Sequence, residues 1–189
     1  MRRWSWLVVA LLVSACAEPP NKEMDQAQGA IDAARAAGAE RYAASEYTAA
    51  TDALKNSNDA AATGDYRLAL NYALESHEQA QRAARATADT KAQVRAEVER
   101  AMAEIAALMA QASTRLAAAR SARVAARLLT QPAGDIAAVN VDVQKAGEAI
   151  QADDYLEARR SLEGVKERIE KALAAVDAAT GAPASRRRR

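Results

Sequence analysis

Apolar residues recur every three or four positions along most of this chain, and that period predicts one helix after another. From about Met24 to Ala37, Ala27, Ile31 and Ala34 fall on one face, and Gly38 supplies a stop. From about Arg41 to Ala62, Tyr47, Ala50, Leu54 and Ala61 recur at spacings of 3, 4 and 7. Thr63-Gly64-Asp65 predicts a turn in which Gly64 turns left-handed and Asp65 caps the next helix. No proline follows until Pro132 and no glycine until Gly134, so one helix is expected from Asp65 to Leu129. Its second half sets Val98, Met102, Ile105, Met109, Ala112, Leu116 and Ala119 at 4-3-4-3-4-3, a heptad seam. Such a seam pairs with another helix, of the same chain or of a second copy. Val98, Met102, Ile105, Met109 and Leu116 are therefore the candidate partner interface. Large apolar residues are missing from Thr87 to Thr90, and Thr90 with Gln93 fits a capping box, but the pattern favours a continuous or bent helix there.

Gln131-Pro132-Ala133-Gly134-Asp135 predicts the clearest turn in the chain. A helix from about Ile136 to Ala152 follows, carrying Val139, Val143, Ala146 and Ile150. Asp153-Asp154 opens the last helix, with Leu162, Val165, Ile169, Ala172 and Val176 at 3-4-3-4, and Gly181 with Pro183 ends it. The expectation is an all-α protein of elongated helical hairpins, with a long central helix and a coiled-coil-like seam. It divides into an N-terminal hairpin with the long helix (25–131), a C-terminal hairpin (132–180) and a basic, disordered tail (181–189).

Composition changes what these helices can be. Alanine exceeds a quarter of the sequence, so much of the 50% hydrophobic content is methyl groups. Alanine favours helix but buries little area, which predicts close, narrow helix contacts rather than a thick core.

The N-terminus carries the most specific signal. Arg2 and Arg3 precede an apolar run, Trp4 to Val13, and then Ser14, Ala15 and the sole cysteine, Cys16. The run is about half the ~20 apolar residues that span a bilayer, so it reads as a secretion signal rather than a permanent anchor. Val13-Ser14-Ala15-Cys16 resembles the lipobox of bacterial lipoproteins. That resemblance implies diacylglycerol on the Cys16 sulfur, cleavage after residue 15, and a third acyl chain on the new amine. Ala17 favours export to the outer membrane, where similar lipoproteins retained in the inner membrane carry aspartate. Residues 16–24, with Pro19 and Pro20, then form a tether. Stable anchoring needs at least two lipid chains or equivalent signals, at about 0.8 kcal/mol per buried CH₂, and three chains satisfy this.

Charge is split along the chain. Without Arg2 and Arg3 there are 24 basic and 25 acidic residues; without Arg186 to Arg189 as well there are 20 and 25. The acidic body argues against a nucleic-acid partner. Arg186, Arg187, Arg188 and Arg189 form a candidate site for anionic surfaces, where each charge contributes about 1 kcal/mol near such a surface. A solvated tail with no partner is the alternative. The terminal arginine also differs from the C-terminal lysine by which the major murein lipoprotein joins the cell wall.

Two junctions read alike: Gly64-Asp65-Tyr66-Arg67-Leu68-Ala69 and Asp153-Asp154-Tyr155-Leu156-Glu157-Ala158. An acid caps the helix, a tyrosine plugs the hairpin end, and an alanine lets the neighbouring helix approach. The pattern resembles the inter-helix turn of tetratricopeptide repeats, without that family's 34-residue period or its Trp/Leu/Gly/Tyr signature. Gln26 to Ala88 also resembles a family of small alanine-rich bacterial lipoproteins with an uncharacterised helical hairpin domain. The shared features are Ala36-Ala37-Gly38-Ala39, the tyrosine-bearing second helix and Gly64-Asp65-Tyr66, though Ala43 and Ala44 stand where members often have proline. This resemblance implies an envelope lipoprotein and no activity.

Catalytic candidates lack partners. His77 is the only histidine, so a packing role is expected over a base or ligand. Asp153-Asp154 is explained by capping, and Met102 and Met109 by the seam. Tyr42, Tyr47, Tyr66, Tyr72 and Tyr155 gather near hairpin ends as packing plugs, with a ligand groove as the alternative. No metal, cofactor or enzymatic role is expected. The expected function is a membrane-anchored envelope lipoprotein, on the periplasmic face of the outer membrane, acting as a structural or adaptor element. Its partners would be the membrane through Cys16 and an envelope protein or a second copy. The alternative is a periplasmic module binding peptide, glycan or lipid between hairpins.

Overall fold

The computed structural model describes residues 18–181. Cys16 with the segment before it, and Arg186 to Arg189, lie outside the described residues. The described residues are all-α, in seven helices: α1 (Asn21–Ala37), α2 (Ala39–Tyr42), α3 (Ala44–Ala62), α4 (Tyr66–Ser121), α5 (Ala126–Gln151), α6 (Tyr155–Ser161) and α7 (Val165–Thr180). The chain divides into two compact units at Thr90/Lys91, inside α4. The division expected at Gln131/Pro132 is not observed.

Unit 1 holds α1, α2, α3 and the first part of α4. Its core joins Ala27, Ile31, Ala34, Ala39, Tyr47, Ala50, Leu54, Ala80 and Ala83. Gly38, at φ 98, ends α1 as expected, and an unexpected break at Ala43 separates α2 from α3. The face of α4 in this unit is almost all small: Ala69, Ala73, Ser76, Ala80, Ala83 and Thr87 are buried. Small side chains let backbones come close, and two serines exploit it. Ser57 Oγ on α3 donates to the Ala69 carbonyl on α4 at 2.7 Å, and Ser76 Oγ on α4 donates to the Ala50 carbonyl on α3 at 2.8 Å. Each serine reaches the residue seven positions before the other. The two bonds are reciprocal and fix an antiparallel register.

Unit 2 holds the rest of α4 with α5, α6 and α7, around a core of larger residues. Val94, Val98, Ile105 and Leu116 of α4 meet Leu129, Ile136 and Val139 of α5 and Val165, Ile169 and Val176 of α7. Buried rows on α4 step by sevens within each unit: Ala69, Ser76 and Ala83 in one, Val98, Ile105, Ala112 and Ala119 in the other. A further buried row, Ala73, Ala80, Thr87 and Val94, steps by sevens through the boundary between the units. The boundary falls within Thr87 to Lys91, where the sequence lacks large apolar residues.

The turn between α4 and α5 is a correction. It lies at Ala122–Ala125, not at 131–135, and Pro132 and Gly134 are inside α5. The apolar period explains this: Leu129, Pro132, Ile136 and Val139 are all buried on one face, so the face runs through the proline. α4 accordingly stops at Ser121 rather than Leu129. The actual turn has no Gly, Pro, Asn or Asp. Three inter-helix turns share one geometry, a residue in the left-handed conformation whose successor's N–H returns to a carbonyl five positions back. Gly64 (φ 80), Arg123 (φ 57) and Asp153 (φ 60) occupy that position. The closing bonds are Asp65 N–H to Ala60 O at 3.0 Å, Val124 N–H to Ala119 O at 3.1 Å and Asp154 N–H to Ala149 O at 2.9 Å. A second correction concerns the last helix, which is interrupted at Gly164 (φ 69) between α6 and α7. The 3-4 spacing of Leu162, Val165 and Ile169 hides that break, because it continues unchanged across it.

Candidate functional site

The densest polar constellation in unit 2 surrounds the α5–α6 turn. Asp153 pairs with Lys91 of α4, and Asp154 Oδ1 accepts from Glu157 N–H at 3.0 Å, capping α6 as expected. Tyr155 is buried, and the Arg95 guanidinium lies 6.0 Å from its ring centre. Ala158 is fully buried. The lysine's hydrogen bond holds the Asp153 carboxyl below the usual aspartate range. The two carboxylates serve different partners, so they form no acid–base pair.

This turn begins a ladder. Lys91–Asp153, Glu104–Lys166 and Arg115–Asp177 all join residues 62 positions apart. Glu97–Arg159 keeps the same separation, at 3.5 Å. A constant offset means that α4 and the α6–α7 segment run parallel and in register. Along α4 the signs run plus, minus, minus, plus, so a shift by one rung sets Lys91 against Arg159 and Glu104 against Asp177. Lys166 depresses the Glu104 carboxyl through its hydrogen bond, and Glu104 raises Lys166 in return. Arg168 joins Asp142 of α5 at 2.5 Å. Exposed pairs contribute roughly 0–1 kcal/mol each, so this ladder specifies register more than it adds stability.

Unit 1 offers a groove of about 260 Å³ between α1 and α3. Ile31 and Leu54 line it together with Gln28, Arg35, Thr51, Lys55 and Asn58. Arg35 also pairs with Asp32 and Glu40, and its guanidinium lies 5.7 Å from the Tyr47 ring centre. The Tyr47 hydroxyl is buried without a hydrogen-bond partner among the described residues. Amides, a hydroxyl and two cations above an apolar floor suit a polar ligand with an apolar face. They supply no nucleophile with an adjacent base.

The remaining candidates fall as follows. Val98, Ile105 and Leu116 are buried in the unit 2 core, and Met102 and Met109 pack against it half-buried. The seam therefore closes within the chain, and these five residues are not a free partner interface. His77 is half-buried, with Gln81 Nε2 at 3.4 Å from its Nε2. Tyr47 and Tyr155 are buried, while Tyr42, Tyr66 and Tyr72 are half-buried. Among the described residues, no three His, Cys, Asp or Glu side chains cluster as metal ligands, and no helix is long and apolar enough to cross a membrane. Sequence reasoning missed Ser57, Ser76 and the ladder. The ladder's signal was present, as opposite charges recurring at one fixed separation.

Residues 22–100 match a family described as a domain of unknown function (DUF4398). The match covers unit 1 and the first turns of α4 beyond it, agreeing with the resemblance of Gln26 to Ala88 to an uncharacterised domain. No curated protein shows significant similarity to this chain. No solved structure does either.

Proposed function

We propose that this protein is an envelope lipoprotein, held in a membrane by acylated Cys16, whose helical units act as a structural or adaptor element. The observation that carries the proposal is the N-terminal series of Arg2-Arg3, the short apolar run and Val13-Ser14-Ala15-Cys16. The outer membrane is its proposed address, from Ala17, and the periplasmic side its proposed face. Two features of the units support the adaptor role. The large apolar seam of unit 2 is spent on internal packing, and its α5–α6 turn is fixed by a cap and an ion pair. Both suit rigid modules that present surfaces. The tetratricopeptide-like character of the Asp65-Tyr66 and Asp154-Tyr155 junctions belongs to the same proposal.

The test is fractionation of cells carrying the full chain or its Cys16→Ser variant. The natural chain should sediment with outer membranes and resist high salt, and the variant should lose its acylated, processed form. Equal processing of both chains would remove the proposal. A second reading, a module for a glycan or peptide, is favoured by the groove at Gln28, Arg35, Thr51, Lys55 and Asn58. Under that reading Lys55→Glu abolishes retention on a ligand-bearing matrix without lowering helicity, whereas an adaptor using other surfaces retains its partner.

A further inference from the structure

From Ile105 to Gly134 the sequence contains no Asp or Glu, although the chain as a whole carries nearly equal numbers of acids and bases. Four arginines lie in this stretch: Arg115, Arg120, Arg123 and Arg127. Arg115 pairs with Asp177. The other three are exposed around the α4–α5 turn and form no ion pair among the described residues. Elsewhere in unit 2 Lys91, Arg159, Lys166 and Arg168 each have a carboxylate partner, and the exposed cations without one, Arg100, Lys145 and Lys171, stand far apart in sequence. The turn thus gathers three unpaired cations within eight residues.

Two of these arginines sit where folding alone would choose differently. Arg123 holds the left-handed position that Gly64 occupies in the equivalent turn of unit 1, and a residue with a Cβ is disfavoured there. Arg127 lies in the first turn of α5, against the positive end of that helix, which has no acid in its first turn and no side-chain cap. Apolar surface accompanies the charge. Leu128 is 50% exposed, and on another face of α5 a groove of about 390 Å³ is lined by Arg120, Val124, Ala126, Leu129, Thr130 and Ala133. Unpaired guanidinium groups next to an exposed leucine match the two layers of a lipid surface. Phosphates meet the cations, and the acyl boundary meets the apolar groups.

We infer that the α4–α5 turn of unit 2 docks on a phosphate-bearing lipid surface, through Arg120, Arg123, Arg127 and Leu128. The docking does not depend on acylation of Cys16 or on the terminal arginines. Residues 18–181 suit the test, because both cores are built between Met24 and Ala179 and so lie wholly inside that span. Cosedimentation is measured with vesicles of phosphatidylglycerol and phosphatidylcholine, and with phosphatidylcholine alone. Binding should require phosphatidylglycerol, fall with salt, and weaken on the order of a hundredfold when all three arginines become glutamine. Leu128→Ser should weaken it further, and Arg67→Gln with Arg85→Gln in unit 1 should leave it intact. Arg123→Gly guards against misfolding, since it relaxes the turn; it should bind more weakly while melting no lower. Binding unaffected by the triple substitution, or no binding to either vesicle, overturns the inference. So does binding that inorganic phosphate abolishes and Leu128→Ser leaves alone, which would mark a free-phosphate site instead.

Discussion

Ser57 and Ser76 show how little side chain is needed to lock two helices. Each hydroxyl is buried and donates to a carbonyl on the facing helix. That carbonyl also belongs to its own helix, so the serine bond is additional to the backbone pattern. A net contribution of about 1 kcal/mol is typical of such a bond, offset by about half that because alanine is the better helix former. Ser57→Ala and Ser76→Ala should therefore each lower the stability of unit 1 by a few tenths to ~1 kcal/mol. Ser76→Leu should cost about 1–3 kcal/mol, since the close approach leaves no room for it. Urea denaturation followed by circular dichroism checks both. A Ser76→Leu chain as stable as the natural one would show that the helices are not in close contact. The sequence pointed to alanine spacing here but not to the serines. A serine on an α-helix reads as neutral until the antiparallel register reveals which carbonyl it faces.

Among the elements, α5 departs most from expectation. Pro-Ala-Gly-Asp has the composition of a turn, and local chemistry alone places one there. Burial of Leu129, Pro132, Ile136 and Val139 on one face overrides it, whereas the real turn at Ala122–Ala125 has no breaker residue to announce it. α1 and the body of α3 were legible because local and long-range signals agreed there, whereas nothing in the sequence announced the break at Ala43. At Pro132 and Gly164 they disagreed, and packing decided in one case while backbone conformation decided in the other. An internal proline costs a helix about 3 kcal/mol, of which its buried ring returns part. Pro132→Ala should thus raise the stability of unit 2 by about 1 kcal/mol, measured by thermal melting. A marked loss would mean that the ring's packing, not the missing N–H, dominates.

The α4 to α6–α7 ladder makes a prediction about pH at the same scale. Asp153 and Glu104 are both depressed when folded, because of Lys91 and Lys166. Groups depressed in this way contribute stability above their unfolded pKa and lose it as pH falls through the folded value. Acid should therefore loosen the pairing of α4 with α6–α7 as pH drops below about 4. Asp153→Asn and Glu104→Gln together should flatten the acid limb of a stability–pH curve. An unchanged limb would show that the ladder's charges have no part in folding.

At the scale of the whole molecule, two units with separate cores divide within α4, at Thr90/Lys91. Unit 1 packs alanine and serine tightly, and unit 2 packs valine, isoleucine and leucine under a ladder of charges. The all-α class and the long helix were legible from periodicity. The boundary between units was visible only as a gap in large apolar residues at Thr87 to Thr90, which periodicity alone reads as a weak spot. The candidate site was less legible, because a groove and a charged turn arise from residues far apart in sequence. The account's central claim remains that the chain is tethered by lipid at Cys16. Mass spectrometry of the N-terminal peptide of the native protein tests it most directly. The account predicts a peptide that begins at Cys16 and carries diacylglycerol on sulfur with a further acyl chain on nitrogen. A free Cys16 thiol, or a peptide still beginning at Met1, would contradict it.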